Sequence, residues 1–304
     1  MKKHNKYINR TFYLAEKGLG YVLSNPLVGC VIVKNNEIIG EGFHQKYGEA
    51  HAEINAIYSI KEKKQIERSS IYINLEPCSH HGKTPPCVDS LIKFKPKEVI
   101  ISNIDPNPSV NGRGIKKLRD NNIEVITGIL EDDGKFLNRR FFYNHKKNLP
   151  YIILKWAETK DGFIARENGD SKWISNEMSR SYVHRWRSQQ DGILVGVETA
   201  NKDNPRLNVR NWNGNHPIRI ILDPNSRLKE NLNIHEGPNK TFIYNRRLDK
   251  EEGNVKFIKT KSFDLDLILN DVYSKGISSI LVEGGTKTIN YFIEKNLWNE
   301  ARIF

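Results

Sequence analysis

His51-Ala52-Glu53, followed by Leu75-Glu76-Pro77-Cys78-Ser79-His80-His81-Gly82-Lys83-Thr84-Pro85-Pro86-Cys87, decides how the first half of this chain is read. One imidazole and two thiolates are ligands that hold zinc, and three protein ligands leave the fourth tetrahedral position to water, the mark of a catalytic rather than a structural site. Glu53 lies two residues from His51, too close in sequence to be a comfortable fourth ligand. It is well placed to reach the water and shuttle its proton. His51, Cys78 and Cys87 are therefore the expected metal ligands and Glu53 the expected catalytic residue.

Outward from this stretch, the periodicity alternates between helix and strand. Ile8, Phe12, Ala15 and Leu19 recur at helical spacing from His4 to Leu19 and end at Gly20. Val28–Val33 and Ile38–Phe43 flank Asn35-Asn36, a pair that tolerates the left-handed conformations of a tight hairpin. Cys30, set among Val and Ile, reads as a small core side chain. His51–Ile60 reads as a helix that starts at the ligand and turns its positive end toward the metal. Strand 71–75 delivers Cys78, and Cys87 opens another helix. Strands 98–102 and 123–127, with a helix around 115–119 between them, complete an α/β pattern. From Gly134 to Leu149 the chain is basic and aromatic, which predicts an interdomain connection burying its rings on either core. Pro150 marks the boundary.

The second half restarts with strand Tyr151–Lys155, a helix from Glu177 to Arg187, and strands Gly192–Gly196, Ile218–Asp223 and Ser279–Val282, the last running into Glu283-Gly284-Gly285-Thr286. A Gly-Gly pair between strand and helix lets backbone amides approach a phosphate, but no G-x-G-x-x-G is present. At 304 residues two domains are expected, 1–146 and 150–304. The net charge of +12 is spread as lysine along the whole length, which reads as composition bias rather than a nucleic-acid surface. Three cysteines, two of them claimed by metal, leave no disulfide framework and suit a reducing cytoplasm. No run approaches the length of a membrane span, and none follows the charged N-terminus as a leader would require.

His, Glu, Pro-Cys and Cys in that order form the signature of the zinc nucleobase deaminases. Nucleic-acid deaminases mostly place two residues between their cysteines, whereas eight separate Cys78 from Cys87. With Asn25-Pro26-Leu27-Val28-Gly29-Cys30 and Asp105-Pro106-Asn107-Pro108, the stretch resembles the deaminase half of the bifunctional riboflavin-biosynthesis deaminase/reductases, over nearly all of residues 5 to 145. The resemblance implies a cytidine-deaminase-like three-layer α/β/α domain. It also implies zinc-dependent hydrolytic deamination of 2,5-diamino-6-(5-phosphoribosylamino)pyrimidin-4-one at C2, with Glu53 passing the water's proton first to a ring nitrogen and then to the departing amine. Asn25, His44 and Asp105 match positions near the pyrimidine, although Asn25 and Asp105 also suit turns.

The second half is similar to the reductase half of the same family in order and spacing. The matching stretches are Lys155-Trp156-Ala157, Lys160–Ala165, Gly169–Ser175, Arg187, Asp191–Thr199, Asp203–Arg210 and Glu283–Thr286. A dihydrofolate-reductase-like α/β domain is implied, in which NADPH reduces the ribosyl group to an open ribityl chain. Ala157, Trp173, Thr199, Asp203, Gly285 and Thr286 match cofactor positions, and Ser171, Arg187, Leu207, Arg210 and Glu283 match substrate positions. The arginines offer planar forks for a phosphate and Ser171 a hydroxyl donor. Thr159-Lys160 replaces the family's Ser-Leu. The chain stops at Ala301-Arg302-Ile303-Phe304, where the family pattern enters a strand and continues, so an unpaired sheet edge is expected. The partner expected is a small phosphorylated pyrimidine, with neither nucleic acid nor membrane, and self-assembly is left open. Two other readings stand beside the bifunctional one: a deaminase with a reductase-like domain that has no catalysis, and a deaminase acting on tRNA.

Overall fold

In the computed structural model, which describes residues 2–80, 85–164 and 176–304, the chain divides into two compact units, Met1–Lys146 and Lys147–Phe304. The first runs α1 (Lys2–Glu16), β1 (Gly29–Lys34), β2 (Glu37–Phe43), α2 (Ala52–Ser59), β3 (Ser70–Leu75), α3 (Cys87–Phe94), β4 (Glu98–Asn103), α4 (Arg113–Asp120), β5 (Glu124–Thr127), α5 (Glu131–Leu137) and α6 (Arg139–Lys147). Its five strands lie in the order β2-β1-β3-β4-β5. β1 is antiparallel to β2 and β3, and β3, β4 and β5 are parallel.

Strand alternation sorts the apolar side chains into two layers. Cys30, Ile32, Ile71, Ile73, Val99 and Ile101 point to one face, where α2, α3 and α4 cover them with Ala56, Leu91 and Leu118. Val31, Val33, Tyr72 and Ile100 point to the other, beneath Tyr7, Ile8 and Leu14 of α1. A sheet buried on both faces has central strands that read as continuous apolar runs, as β1, β3 and β4 do. The three-layer arrangement expected of this half is present. The hairpin forms with both Asn35 (φ 52°) and Asn36 (φ 68°) left-handed, as their residue types predict. Gly42 lets α2 lie directly on β2: a Cβ there would stand 2.2 Å from the Ala56 nitrogen.

The second unit runs β6 (Tyr151–Trp156), α7 (Glu177–Ser188), β7 (Gly192–Gly196), α8 (Val197–Asp203), β8 (Ile218–Leu222), β9 (Thr241–Asn245), β10 (Lys250–Glu252), β11 (Val255–Lys259), α9 (Leu265–Ser274), β12 (Ser279–Gly284), α10 (Thr286–Glu294) and β13 (Glu300–Ile303). Its eight strands are ordered β10-β11-β9-β8-β7-β12-β6-β13, all parallel except the β10–β11 pair. One face packs Leu154, Leu194, Ile220 and Val282 against α9 and α10, and the other packs Ile193, Val195, Ile221 and Ile243 against Ala200, Leu232 and Ile234. The terminal residues do form a strand, with β13 pairing in parallel with β6 at one edge of the sheet.

One expectation is corrected. The aromatic stretch before the boundary does not bury all its rings. Phe136 is 69% exposed, with the Arg139 guanidinium 4.6 Å from its ring centre, and Phe141, Phe142 and Tyr143 are half-buried. The guanidinium over the Phe136 ring gains a cation–π contact while leaving most of the ring in water.

Candidate functional site

In the first unit, His51 is the residue before α2, in extended conformation (φ −74°, ψ 168°), so its ring hangs off the helix start. Cys78 follows β3 in the loop, and Cys87 is the first residue of α3. The Cys87 backbone N–H donates to the Cys78 sulfur at 3.2 Å, so a helix N-terminus faces that thiol. His51 Nδ1 lies 3.2 Å from Cys87 Sγ and 3.5 Å from Cys78 Sγ, and the three donor atoms all lie within 4.8 Å of one another. Zn–S and Zn–N bonds of about 2.3 and 2.0 Å at tetrahedral angles require donor separations of roughly 3.5–3.8 Å. The residues present therefore fit zinc in number, chemistry and spacing, and among the described residues no fourth protein ligand joins them.

The electrostatics agree with that use. Hydrogen bonds from Cys87 and His51 hold the Cys78 thiol well below the usual thiol range. The bond to Cys78 raises His51. Glu53, only 3% exposed, reaches the Cys87 thiol, and burial together with the Cys78 charge pushes its carboxyl up to about 7. Cys30 is fully buried within the core cluster, as expected of it.

The structure brings the other expected residues of this half to the same place. His44 packs edge-on to His51, ring centres 5.3 Å apart, with Nδ1 at 3.2 Å from the Ala50 carbonyl and Nε2 at 3.0 Å from Asn25 Nδ2. Burial lowers its pKa, and a ring that donates from Nδ1 and accepts at Nε2 is neutral. Asp105 accepts the Asn107 backbone N–H at 2.8 Å, the turn its residue type suggests. It also lies near enough to Glu76 and Cys78 that their charges add to burial in raising it to about 6.

Sequence reasoning missed what holds these groups. The Glu76 carboxylate, 3% exposed, accepts backbone N–H bonds from Gly112 (2.9 Å), Gly114 (3.0 Å), Asp105 (3.3 Å) and Ile115 (3.3 Å). It thereby ties the Cys78 loop to the start of α4 and to the segment carrying Asp105. Asn74 accepts from the Gly29 nitrogen at 2.7 Å and donates to the Leu27 carbonyl at 2.8 Å, fixing the segment after Asn25. An acidic residue at the end of a buried strand was the available signal for Glu76. Within the ligand loop, residues 81–84 lie outside the described residues.

In the second unit a cavity of 880 Å³ opens at the carboxyl ends of β6, β7, β8 and β12, the usual place for a ligand in a parallel sheet. Ala157, Thr199, Asp203, Gly285 and Thr286 line it, as do Arg187, Leu207 and Glu283. Ser171 and Trp173 lie outside the described residues. Gly284 (φ 128°) takes a conformation open to glycine, and a Cβ there would meet nothing within 4 Å, so it would stand in the open cavity. Gly285 caps α10. Leu207 is held left-handed (φ 47°) though 98% shielded, a strained backbone at the lining.

Arg187 is engaged by a carboxylate. Its Nε and Nη2 donate to the two Glu283 carboxylate oxygens at 2.7 and 2.8 Å, and Nη1 to the Asn208 carbonyl at 3.1 Å. The planar fork expected for a phosphate is thus turned on a carboxylate, and the pair holds Glu283 down to about 2 against its burial. Arg210 is exposed, with Nη1 on Asn208 Oδ1 at 3.2 Å, and lies close enough to Arg187 and Arg206 to feel both charges. His184 accepts the Arg210 backbone N–H at 3.4 Å; burial and the two arginines push it down to about 4, so it is neutral at pH 7. Lys155 faces the same cavity, and its charge also stabilises the Glu283 carboxylate.

Comparison with known proteins finds two family matches, the cytidine and deoxycytidylate deaminase zinc-binding region over residues 1–103 and the RibD C-terminal domain over residues 150–304. The riboflavin biosynthesis protein RibD of Aquifex aeolicus is 38% identical over 98% of this chain and 85% of its own length, and that of Escherichia coli K12 is 35% identical over 98% and 86%. Among solved structures, a diaminohydroxyphosphoribosylaminopyrimidine deaminase/5-amino-6-(5-phosphoribosylamino)uracil reductase from Thermotoga maritima superposes with a TM-score of 0.90, at 39% identity over 97% of this chain and 84% of that one. Acinetobacter baumannii RibD gives 0.91 at 33% identity over 99% and 86%.

Proposed function

The chain belongs to the RibD family of bifunctional riboflavin-biosynthesis deaminase/reductases, and from that premise we propose which residues carry each of its two reactions. The first unit is assigned hydrolytic deamination of 2,5-diamino-6-(5-phosphoribosylamino)pyrimidin-4-one at C2, and the second the NADPH-dependent reduction of the ribosyl group to ribityl. The observation that carries the first assignment is the His51, Cys78 and Cys87 donor set with the buried Glu53 against it.

A zinc ion bound by His51, Cys78 and Cys87 supplies the Lewis acidity that makes water nucleophilic at neutral pH. Glu53 takes one proton from the attacking water and places it on the ring nitrogen, then takes the second from the hydroxyl added at C2 and passes it to the departing amine, so that the C2 carbonyl forms and ammonia leaves. Neutral His44 and Asn25 offer a fixed hydrogen-bonding edge beside His51, and Asp105 a second polar wall, both suited to a pyrimidine ring. Glu76 and Asn74 hold these walls in place.

NADPH suits the second cavity because Gly284 leaves the backbone open beside Gly285, the cap of α10, and a helix start is where a pyrophosphate binds. Ala157, Trp173, Thr199, Asp203 and Thr286 are assigned to the same cofactor. Ser171, Leu207, Arg210 and the Arg187–Glu283 pair are assigned to the substrate, with Arg210 supplying the cation for its phosphate. Reduction delivers hydride from the cofactor to the anomeric carbon and a proton to the ring oxygen as the bond between them breaks, and positioning dominates such a step. The protein is placed in the cytoplasm, in keeping with its free thiols; no described helix is long and apolar enough to cross a membrane. Titration with NADPH tests the second assignment: saturable binding and oxidation coupled to the deaminated substrate are expected, and neither would occur if this unit only assembles.

A further inference from the structure

The cavity of the second unit extends well beyond the residues assigned above. β9 and β6 are separated in the sheet by β8, β7 and β12. Four strand spacings of about 4.8 Å therefore place the end of β9 roughly 19 Å from the end of β6. Ala157 follows β6 and Arg246 follows β9, and both line the cavity. A span of this length suits an extended dinucleotide, with its reactive ring at the Glu283 end and its adenosine at the β9 end.

The cations along the lining differ in their commitments. Arg187 is engaged with Glu283 at 2.7 Å. Glu198 receives Lys287 at 3.2 Å and Arg227 at 3.7 Å. Arg246 has no carboxylate within 4 Å among the described residues; its guanidinium lies over the Phe263 ring, 5.7 Å from the centre. Phe263 is a fixed platform, packed against the core cluster that includes Leu265 and Ile289, with its carbonyl 3.5 Å from the Tyr291 hydroxyl. A flat aromatic face beside a guanidinium that lacks a counterion fits an adenine ring beside a phosphate.

Resting on the reading that this cavity takes a nicotinamide dinucleotide, we propose that Arg246, stacked on Phe263, recognises the 2′-phosphate of the adenosine half and so selects NADPH over NADH. The two cofactors differ there by a doubly charged phosphomonoester against a hydroxyl. A planar fork of donors distinguishes them by charge and by paired hydrogen bonds, whereas the Phe263 ring meets the adenine of both alike.

Calorimetric binding of adenosine 2′,5′-bisphosphate and of 5′-AMP to the full chain isolates this contact from catalysis. The wild-type protein is expected to prefer the bisphosphate by at least about tenfold, the scale of a charge-assisted pair. Arg246→Ala should reduce that preference to less than about threefold while 5′-AMP binding stays within about twofold, and Phe263→Leu should weaken both ligands together. Retention of the full preference in Arg246→Ala, or its loss in Arg227→Ala alone, would overturn the assignment while leaving NADPH binding intact. Absence of NADPH binding to the wild-type chain would overturn the reductase reading and this assignment with it.

Discussion

The proposed deaminase chemistry rests most directly on Glu53. Glu53→Gln preserves shape and removes the proton carrier, so it should retain one zinc per chain by metal analysis and lose about 10²–10⁴-fold in ammonia release. Loss of the metal as well would show that Glu53 is structural. In the second unit, His184 sets an acid limit. Its folded pKa of about 4 lies below the ordinary 6.5, so between those values the unfolded chain binds the extra proton. The stabilisation from neutral His184 is complete above pH 6.5 and lost as pH falls toward 4. The melting temperature of the second unit should fall across that window, and His184→Gln should flatten the fall. The Arg187–Glu283 pair makes a separate demand. Both side chains are about nine-tenths shielded, and Glu283→Gln strands the arginine charge at a cost of about 3–5 kcal/mol, measurable by denaturant unfolding.

At the scale of elements, the ligand loop and the segment from Asp105 to Ile115 are one device because Glu76 joins them. Glu76→Ala removes the acceptor of four backbone N–H groups, three of them buried, and should destabilise the first unit by about 3 kcal/mol or more. Amide exchange at Gly112, Gly114 and Ile115 should quicken most; uniform protection there would refute the anchor. The β1–β2 hairpin was legible because two apolar runs and the Asn35-Asn36 turn between them act within a dozen or so residues. The zinc donors were legible because their chemistry is carried by rare residue types at a telling spacing. Glu76 was not, since its partners are backbone groups 29 to 39 positions away that no side-chain pattern encodes. The use of Arg187 was hidden for a similar reason: a phosphate and a carboxylate ask for the same fork, and Glu283 lies 96 residues on. β9 and β11 left no clear period in the sequence for opposite reasons: Thr241–Asn245 is buried along nearly its whole length and so does not alternate, whereas Val255–Lys259 is only partly buried near the sheet edge.

At the scale of the whole molecule, two units with separate cores carry two separate chemistries on one phosphorylated substrate. The first needs zinc, and the second needs a dinucleotide. Cys78→Ser or Cys87→Ser should therefore abolish zinc binding and ammonia release while NADPH affinity stays within about twofold, since neither cysteine belongs to the second unit. The most direct test of the account is to supply 2,5-diamino-6-(5-phosphoribosylamino)pyrimidin-4-one to the zinc-loaded chain, with and without NADPH, and follow ammonia and NADPH absorbance separately. The account predicts ammonia in both reactions and NADPH oxidation only after deamination. Ammonia with no oxidation of NADPH, or NADPH oxidised with no ammonia released, would contradict it.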